Sequence, residues 1–147
     1  MATRFERNES LGFLINQAGR IFARALEARL RRHGVPLGQF PLLLVLWDED
    51  GLGQTEIARR LDIEQPTVAN TVQRMVRDGL VTVDPDPDDR RRVVVRLTPK
   101  GRALEAPLTG EADAVNADAS SGLAPDELEA FKKTIQSLSN RLRRSLG

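Results

Sequence analysis

Cysteine and tyrosine are absent from this 147-residue chain, and histidine occurs once. Without thiols there is no disulfide framework, no thiolate metal site and no thiol redox switch. His33 stands alone, with no G-x-S-x-G, P-loop or H-E-x-x-H pattern beside it, so the familiar catalytic constellations are missing and no enzyme is expected. It sits just before Gly34, where an imidazole complements the negative end of a helix. Long apolar runs are lacking too: Leu42 to Trp47 falls far short of a bilayer span. The opening Met1-Ala2-Thr3-Arg4-Phe5-Glu6 lacks the apolar core of a secretory leader. A cytoplasmic protein with no membrane partner, metal or cofactor is the expectation. The net charge of +1 gives no bulk attraction to nucleic acid, so any such attraction must come from local charge.

What is present suits one soluble domain over 1–147. The 40% hydrophobic content is too high for disorder. Leu11, Leu14, Ile15, Ala18, Ile21, Phe22, Ala25, Leu26 and Leu30 recur at helical spacing, with Ser10 as a cap and Gly34 as a stop. Such a helix runs roughly 30 Å, long enough to reach beyond its own subunit's core. A second helix, about Leu37 to Asp48, turns Phe40, Leu43, Leu44 and Trp47 inward. Two short helices follow. In the first, Gln54 to Leu61, Ile57, Ala58 and Leu61 share a face, and Gly53 serves as a weak cap. Asp62-Ile63-Glu64 makes the turn, with Asp62 suited to the left-handed backbone region.

The second short helix starts near Gln65, and Pro66 needs no donor there. Val68, Val72, Met75 and Val76 form its inward face. Thr67, Asn70, Thr71, Arg74 and Arg77 form its outward face, all able to address base edges or phosphates. After Gly79, the runs Leu80–Val83 and Val93–Leu97 read as paired strands around a Pro-stiffened loop ending in Arg90, Arg91 and Arg92. A charge run is usually a solvated face, but one on a hairpin directly after a tight helix pair reads as a wing. Thr98 and Pro99 open a connecting helix that is expected to break or kink where Pro107, Gly110 and Asn116 weaken it. The last helix begins at Pro125 and carries Leu128, Phe131, Ile135, Leu138 and Leu142 as one stripe. The fold expected is mainly α with a small β-wing: a winged helix-turn-helix over 37–101 and a connecting helix over 99–122. Helices in 10–34 and 123–147, at the two ends of the chain, are expected to form a dimerisation lobe.

Two segments carry a family resemblance. Gln54-Thr55-Glu56-Ile57-Ala58-Arg59-Arg60-Leu61 leads through Pro66-Thr67-Val68 to Arg77-Asp78-Gly79-Leu80-Val81. Then comes Asp86-Pro87-Asp88-Asp89-Arg90-Arg91-Arg92, running on to Leu97-Thr98-Pro99-Lys100-Gly101. The chain resembles the multiple-antibiotic-resistance regulator (MarR) family over nearly its whole length. The resemblance implies a homodimeric, sequence-specific transcriptional regulator, commonly a repressor released by a small aromatic or phenolic anion. It places the Asp-x-Arg pair on Asp89 and Arg91, with Arg91 entering the minor groove and Asp89 orienting it. Gln65, Pro66, Thr67, Asn70, Thr71, Arg74, Arg77, Arg90, Arg91 and Arg92 are the expected DNA contacts. The partner is then double-stranded DNA with a palindromic operator, because paired subunits read paired half-sites. Leu11, Leu14, Phe131, Ile135, Leu138 and Leu142 are the expected dimerisation residues, since a domain this small cannot bury both terminal stripes. Arg20, Arg24 and the Phe40–Trp47 helix are candidates for the effector, though no pocket is fixed by sequence. The neutral overall charge supports a second reading: a winged-helix interaction or structural module without sequence-specific DNA binding.

Overall fold

The computed structural model describes residues 2–147. It holds seven α-helices and one two-stranded sheet among those residues, in the order α1 (Leu11–Leu30), α2 (Phe40–Asp48), α3 (Gln54–Leu61), α4 (Gln65–Arg77), β1 (Val81–Pro85), β2 (Val93–Leu97), α5 (Pro99–Ala103), α6 (Glu105–Ser120) and α7 (Pro125–Ser145). No helix among the described residues is long and apolar enough to cross a membrane. The chain divides into two compact units, the second being Asp113–Gly147.

Within the first unit the ends of the helices follow local chemistry. The Ser10 hydroxyl accepts the Phe13 N–H at 3.3 Å and starts α1. Gly34, at φ +71°, stops the short 3₁₀ turn that follows it. Asp62 takes the left-handed region (φ +53°) and closes α3, so α4 can begin three residues later. The core forms where these elements converge. Leu30, Leu43, Ile57, Val68 and Met75 are fully buried, joined by Leu42, Leu46, Val72, Val81 and Val95. The apolar stripe of α1 is thus divided. Its last residue belongs to the core, while Leu11, Leu14, Ile15, Ile21 and Phe22 stay exposed.

The wing is antiparallel, with Val81 opposite Leu97 and Pro85 opposite Val93. β1 runs two residues further than the sequence suggested, into Pro85. A third rung comes from the α2–α3 loop. Gly51 N–H donates to the Val95 carbonyl at 3.1 Å, and Val95 N–H donates to Leu52 at 2.8 Å.

The connecting helix departs from expectation. The interruption lies at Leu104, between α5 and α6, and α6 runs unbroken past Gly110 and Asn116. Pro107 causes no break because it occupies the first turn of α6, where its missing N–H has no helical partner to lose. Gly101 explains why α5 is placed where it is. An added Cβ there would collide with the Leu80 carbonyl oxygen and lie 3.2 Å from Leu97 Cδ2. Only a glycine lets α5 approach the strand entrance so closely. Thr98 caps α5 by accepting the Gly101 N–H at 3.1 Å, and the Trp47 indole N–H donates to the Gly101 carbonyl at 3.0 Å.

In the second unit Pro125 and the acidic pair Asp126 and Glu127 start α7. Glu127 accepts the Ala124 N–H at 3.3 Å, which offsets the lack of a capping side chain. Phe131 and Leu142 are exposed, and Ile135 and Leu138 are half-buried.

Candidate nucleic-acid interface

The exposed face of α4 is set by its period. Val68, Val72 and Met75 turn inward, which sends Gln65, Pro66, Thr67, Asn70, Arg74 and Arg77 to solvent. Two residues fall differently from the expectation. Thr71 is buried, and its hydroxyl donates to the Thr67 carbonyl at 2.8 Å. Lying three residues after Val68 and four before Met75, it shares their side of the helix and does not belong to the exposed face. Val76, expected inward, is 43% exposed. Sequence reasoning also missed Gln73. It is exposed three residues beyond Asn70, and the same helical count would have found it. Among the described residues Gln65, Asn70, Gln73 and Arg74 make no side-chain hydrogen bond or ion pair, so their polar groups are available.

The two ends of α4 differ. Glu64 precedes the helix without a side-chain cap, leaving first-turn N–H groups open to an anion. The C-terminal end is bound into the domain. Buried Gln39 donates Nε2 to Asp78 Oδ2 at 2.9 Å, Lys100 Nζ donates to the Asp78 carbonyl at 2.9 Å, and the Thr98 hydroxyl donates to the Gly79 carbonyl at 2.6 Å. The Gln39 amide, then Arg77 at 3.2 Å, hold the Asp78 carboxyl below the usual carboxylate range. Nothing in the Leu37-Gly38-Gln39-Phe40 stretch distinguishes this buried amide in sequence. On α3, Glu56 bonds both Arg59 (2.9 Å) and Arg60 (2.9 Å), and these guanidiniums pull its carboxyl down to about 2. Those two arginines are therefore partly neutralised, whereas Arg74 is not.

The wing tip is ordered by its own aspartates. Asp86 N–H donates to the Arg92 carbonyl, and Asp88 N–H to Asp86 Oδ1, both at 2.9 Å. Asp89 Oδ1 accepts the Arg91 backbone N–H at 3.1 Å and its Nε at 3.4 Å. The Arg91 side chain is 93% exposed even so. Arg90 and Arg92 are exposed beside it. Of the candidate effector residues, Arg20, Arg24 and Leu44 are exposed. Leu44 was expected inward, but it lies on the side of α2 away from Leu42, Leu43 and Leu46. Trp47 is half-buried, its ring edge-on to Phe40 with centroids 6.2 Å apart. His33 stands at the helix end as expected, with Nε2 3.6 Å from Glu111 Oε2.

A MarR family sequence model matches residues 33–92, the helix-turn-helix and most of the wing. The transcriptional regulator TtmR of Methylorubrum extorquens is 31% identical, the alignment covering 95% of this chain and 71% of TtmR. This chain belongs to the MarR family. The transcriptional repressor YetL of Bacillus subtilis is 30% identical over 80% of the MarR chain and 71% of its own length. Among solved structures, Bordetella bronchiseptica BpsR, described with 6-hydroxynicotinic acid regulating its DNA binding, superposes with a TM-score of 0.85. It is 27% identical, covering 93% of this chain and 98% of BpsR. The MarR chain is accordingly a DNA-binding transcriptional regulator, and the module reading without DNA recognition is set aside.

Proposed function

We propose that this MarR protein is a homodimeric repressor that grips a palindromic operator with α4 in the major groove and the wing in the minor groove. The observation that carries this reading is the unengaged Thr67–Asn70–Arg74 face of α4, carried on the same compact unit as an exposed, arginine-tipped wing. Amide and guanidinium groups on one helical face match base-edge donor and acceptor patterns. A narrow minor groove concentrates negative potential, which favours the exposed guanidinium of Arg91. Arg90, Arg92 and Arg77 suit phosphates, which supply affinity rather than sequence information.

A second copy would cover the stripes left open on α1 (Leu11, Leu14) and on α7 (Phe131, Ile135, Leu138, Leu142). It would set two recognition helices about one duplex turn, roughly 34 Å, apart. The protein works by occupying DNA in the cytoplasm rather than by catalysis. BpsR gives a precedent for regulation of DNA binding by a small aromatic acid. An effector of that class, held near Arg20, Arg24 and the Phe40–Trp47 helix, would act by binding the free dimer better than the DNA-bound one.

The wing is the part that can be tested alone. Arg91→Ala should weaken binding to an operator selected from random duplexes by about 1–3 kcal/mol, with a log–log salt slope shallower by about one. Equal affinity and equal slope would remove the wing from the mechanism. Asn70→Ala and Arg74→Ala should instead change which duplexes the selection returns.

A further inference from the structure

We propose that Asp50, outside both DNA-reading elements, is the positioning residue that aims the wing. This rests on the wing reading above and adds the device that sets its angle. Asp50 ends the acidic Asp48-Glu49-Asp50 run, which in sequence looks like a solvated loop. In the fold its side chain is only 19% exposed and joins three separate elements. Oδ1 accepts the Gly51 N–H and the Leu97 N–H, both at 2.9 Å, and Oδ2 accepts Arg102 Nη2 at 2.5 Å. The α2–α3 loop, the C-terminal end of β2 and α5 are thereby tied to one carboxylate.

The carboxylate finishes a ladder that the backbone leaves incomplete. Along β2, Val95 exchanges backbone hydrogen bonds with Gly51 and Leu52. Two residues on, the Leu97 N–H faces the same side and finds no backbone carbonyl there, so Asp50 supplies the acceptor. The loop that holds Asp50 is itself fixed. Gly51 sits at φ +75° with the Arg96 guanidinium against it, 3.1 Å from where a Cβ would lie. A side chain at that position would be strained by the backbone and obstructed by Arg96.

Leverage connects this clamp to DNA. Leu97 lies five residues from Arg92, about 17 Å along an extended strand, so a 10° tilt at the clamped end moves the tip by about 3 Å. A shift of that size exceeds the tolerance of a hydrogen bond to a groove edge or phosphate. Arg91 is held to Asp89 locally, but only the base of the hairpin decides where that pair points.

The experiment is a double-mutant cycle on the full-length protein. Its probe is the duplex enriched from a random pool by the wild-type chain, read by fluorescence anisotropy. Asp50→Ala should weaken binding on the order of 10-fold in the wild-type background but less than about 2-fold in the Arg91→Ala background, as coupled residues do. Asp50→Asn keeps an acceptor for Leu97 while losing the charge opposite Arg102. It should give a smaller loss with the same dependence on Arg91, and it decides the matter if the alanine variant does not fold. Equal losses in both backgrounds, or no loss in either, would make Asp50 a stabiliser of the fold and overturn the proposal. If Arg91→Ala alone binds as wild type does, the wing reading fails together with it. If Arg91→Ala binds weakly and the Asp50 effect is additive, only the present proposal fails.

Discussion

Replacing Gly101 by alanine should destabilise this MarR protein, although helix propensity predicts the reverse. Alanine is favoured over glycine inside a helix by about 1 kcal/mol. Here the new methyl would meet the Leu80 carbonyl oxygen, and that carbonyl cannot easily retreat because it already accepts the Thr98 N–H at 3.0 Å. Relief must come from moving α5 outward. Forcing an extra carbon into a close-packed site costs about 1–3 kcal/mol. The movement also stretches the Trp47–Gly101 and Gly101–Thr98 hydrogen bonds, one of which is worth about 1 kcal/mol. After the propensity gain is subtracted, a net loss of about 1–3 kcal/mol remains, or roughly 3–10 °C in Tm for a chain of this size. Gly110→Ala is the matched control. Gly110 lies inside α6, and nothing stands within 4 Å of the added carbon, so this variant should gain about 1 kcal/mol. Urea and thermal unfolding at one fixed protomer concentration would measure both, since dimer stability varies with concentration. A Gly101→Ala protein as stable as wild type would refute the close-approach account of the Leu-Thr-x-x-Gly segment.

The acid dependence of stability follows from Glu56 and Asp78, whose carboxyls titrate lower in the fold than in the unfolded chain. Their contribution is complete above ordinary carboxylate values and is lost as pH falls, for Glu56 between its ordinary 4.5 and about 2. The stability difference between wild type and Glu56→Gln should therefore shrink across that window. Added salt should reduce it where Glu56 is ionised, because Glu56 is only half-buried and its partner Arg59 is exposed. Phe131→Glu or Leu142→Glu should yield monomers in sedimentation equilibrium. A two-fold interface registers each change twice, about 3–6 kcal/mol in all, and an unchanged dimer would place the interface elsewhere.

Local, periodic features were legible in the sequence because their causes are local. The Ser10 and Thr98 caps, the left-handed Asp62, the stop at Gly34 and the inward Val68–Val72–Met75 face each depend on neighbours within one helical turn. The strands and the arginine-tipped loop were equally readable. Where a helix edge falls between faces, periodicity alone misjudged it: Thr71 turned inward, while Val76 and Leu44 turned out. The expected break near Gly110 failed for a related reason. Propensity ranks Pro107 as a breaker, but its effect depends on where α6 begins, and that is fixed by α5 docking at Leu80.

Composition, the two helical stripes and the turn residues decided the order and type of the elements, since each answers to chemistry within a few positions along the chain. Tertiary structure alone decided which polar side chains remain free. Gln39 is held by Asp78, thirty-nine positions away, and Asp50 by Leu97 and Arg102, forty-seven and fifty-two positions away. A hydrogen-bond donor or acceptor leaves no trace in sequence of a partner that only folding brings within 3 Å.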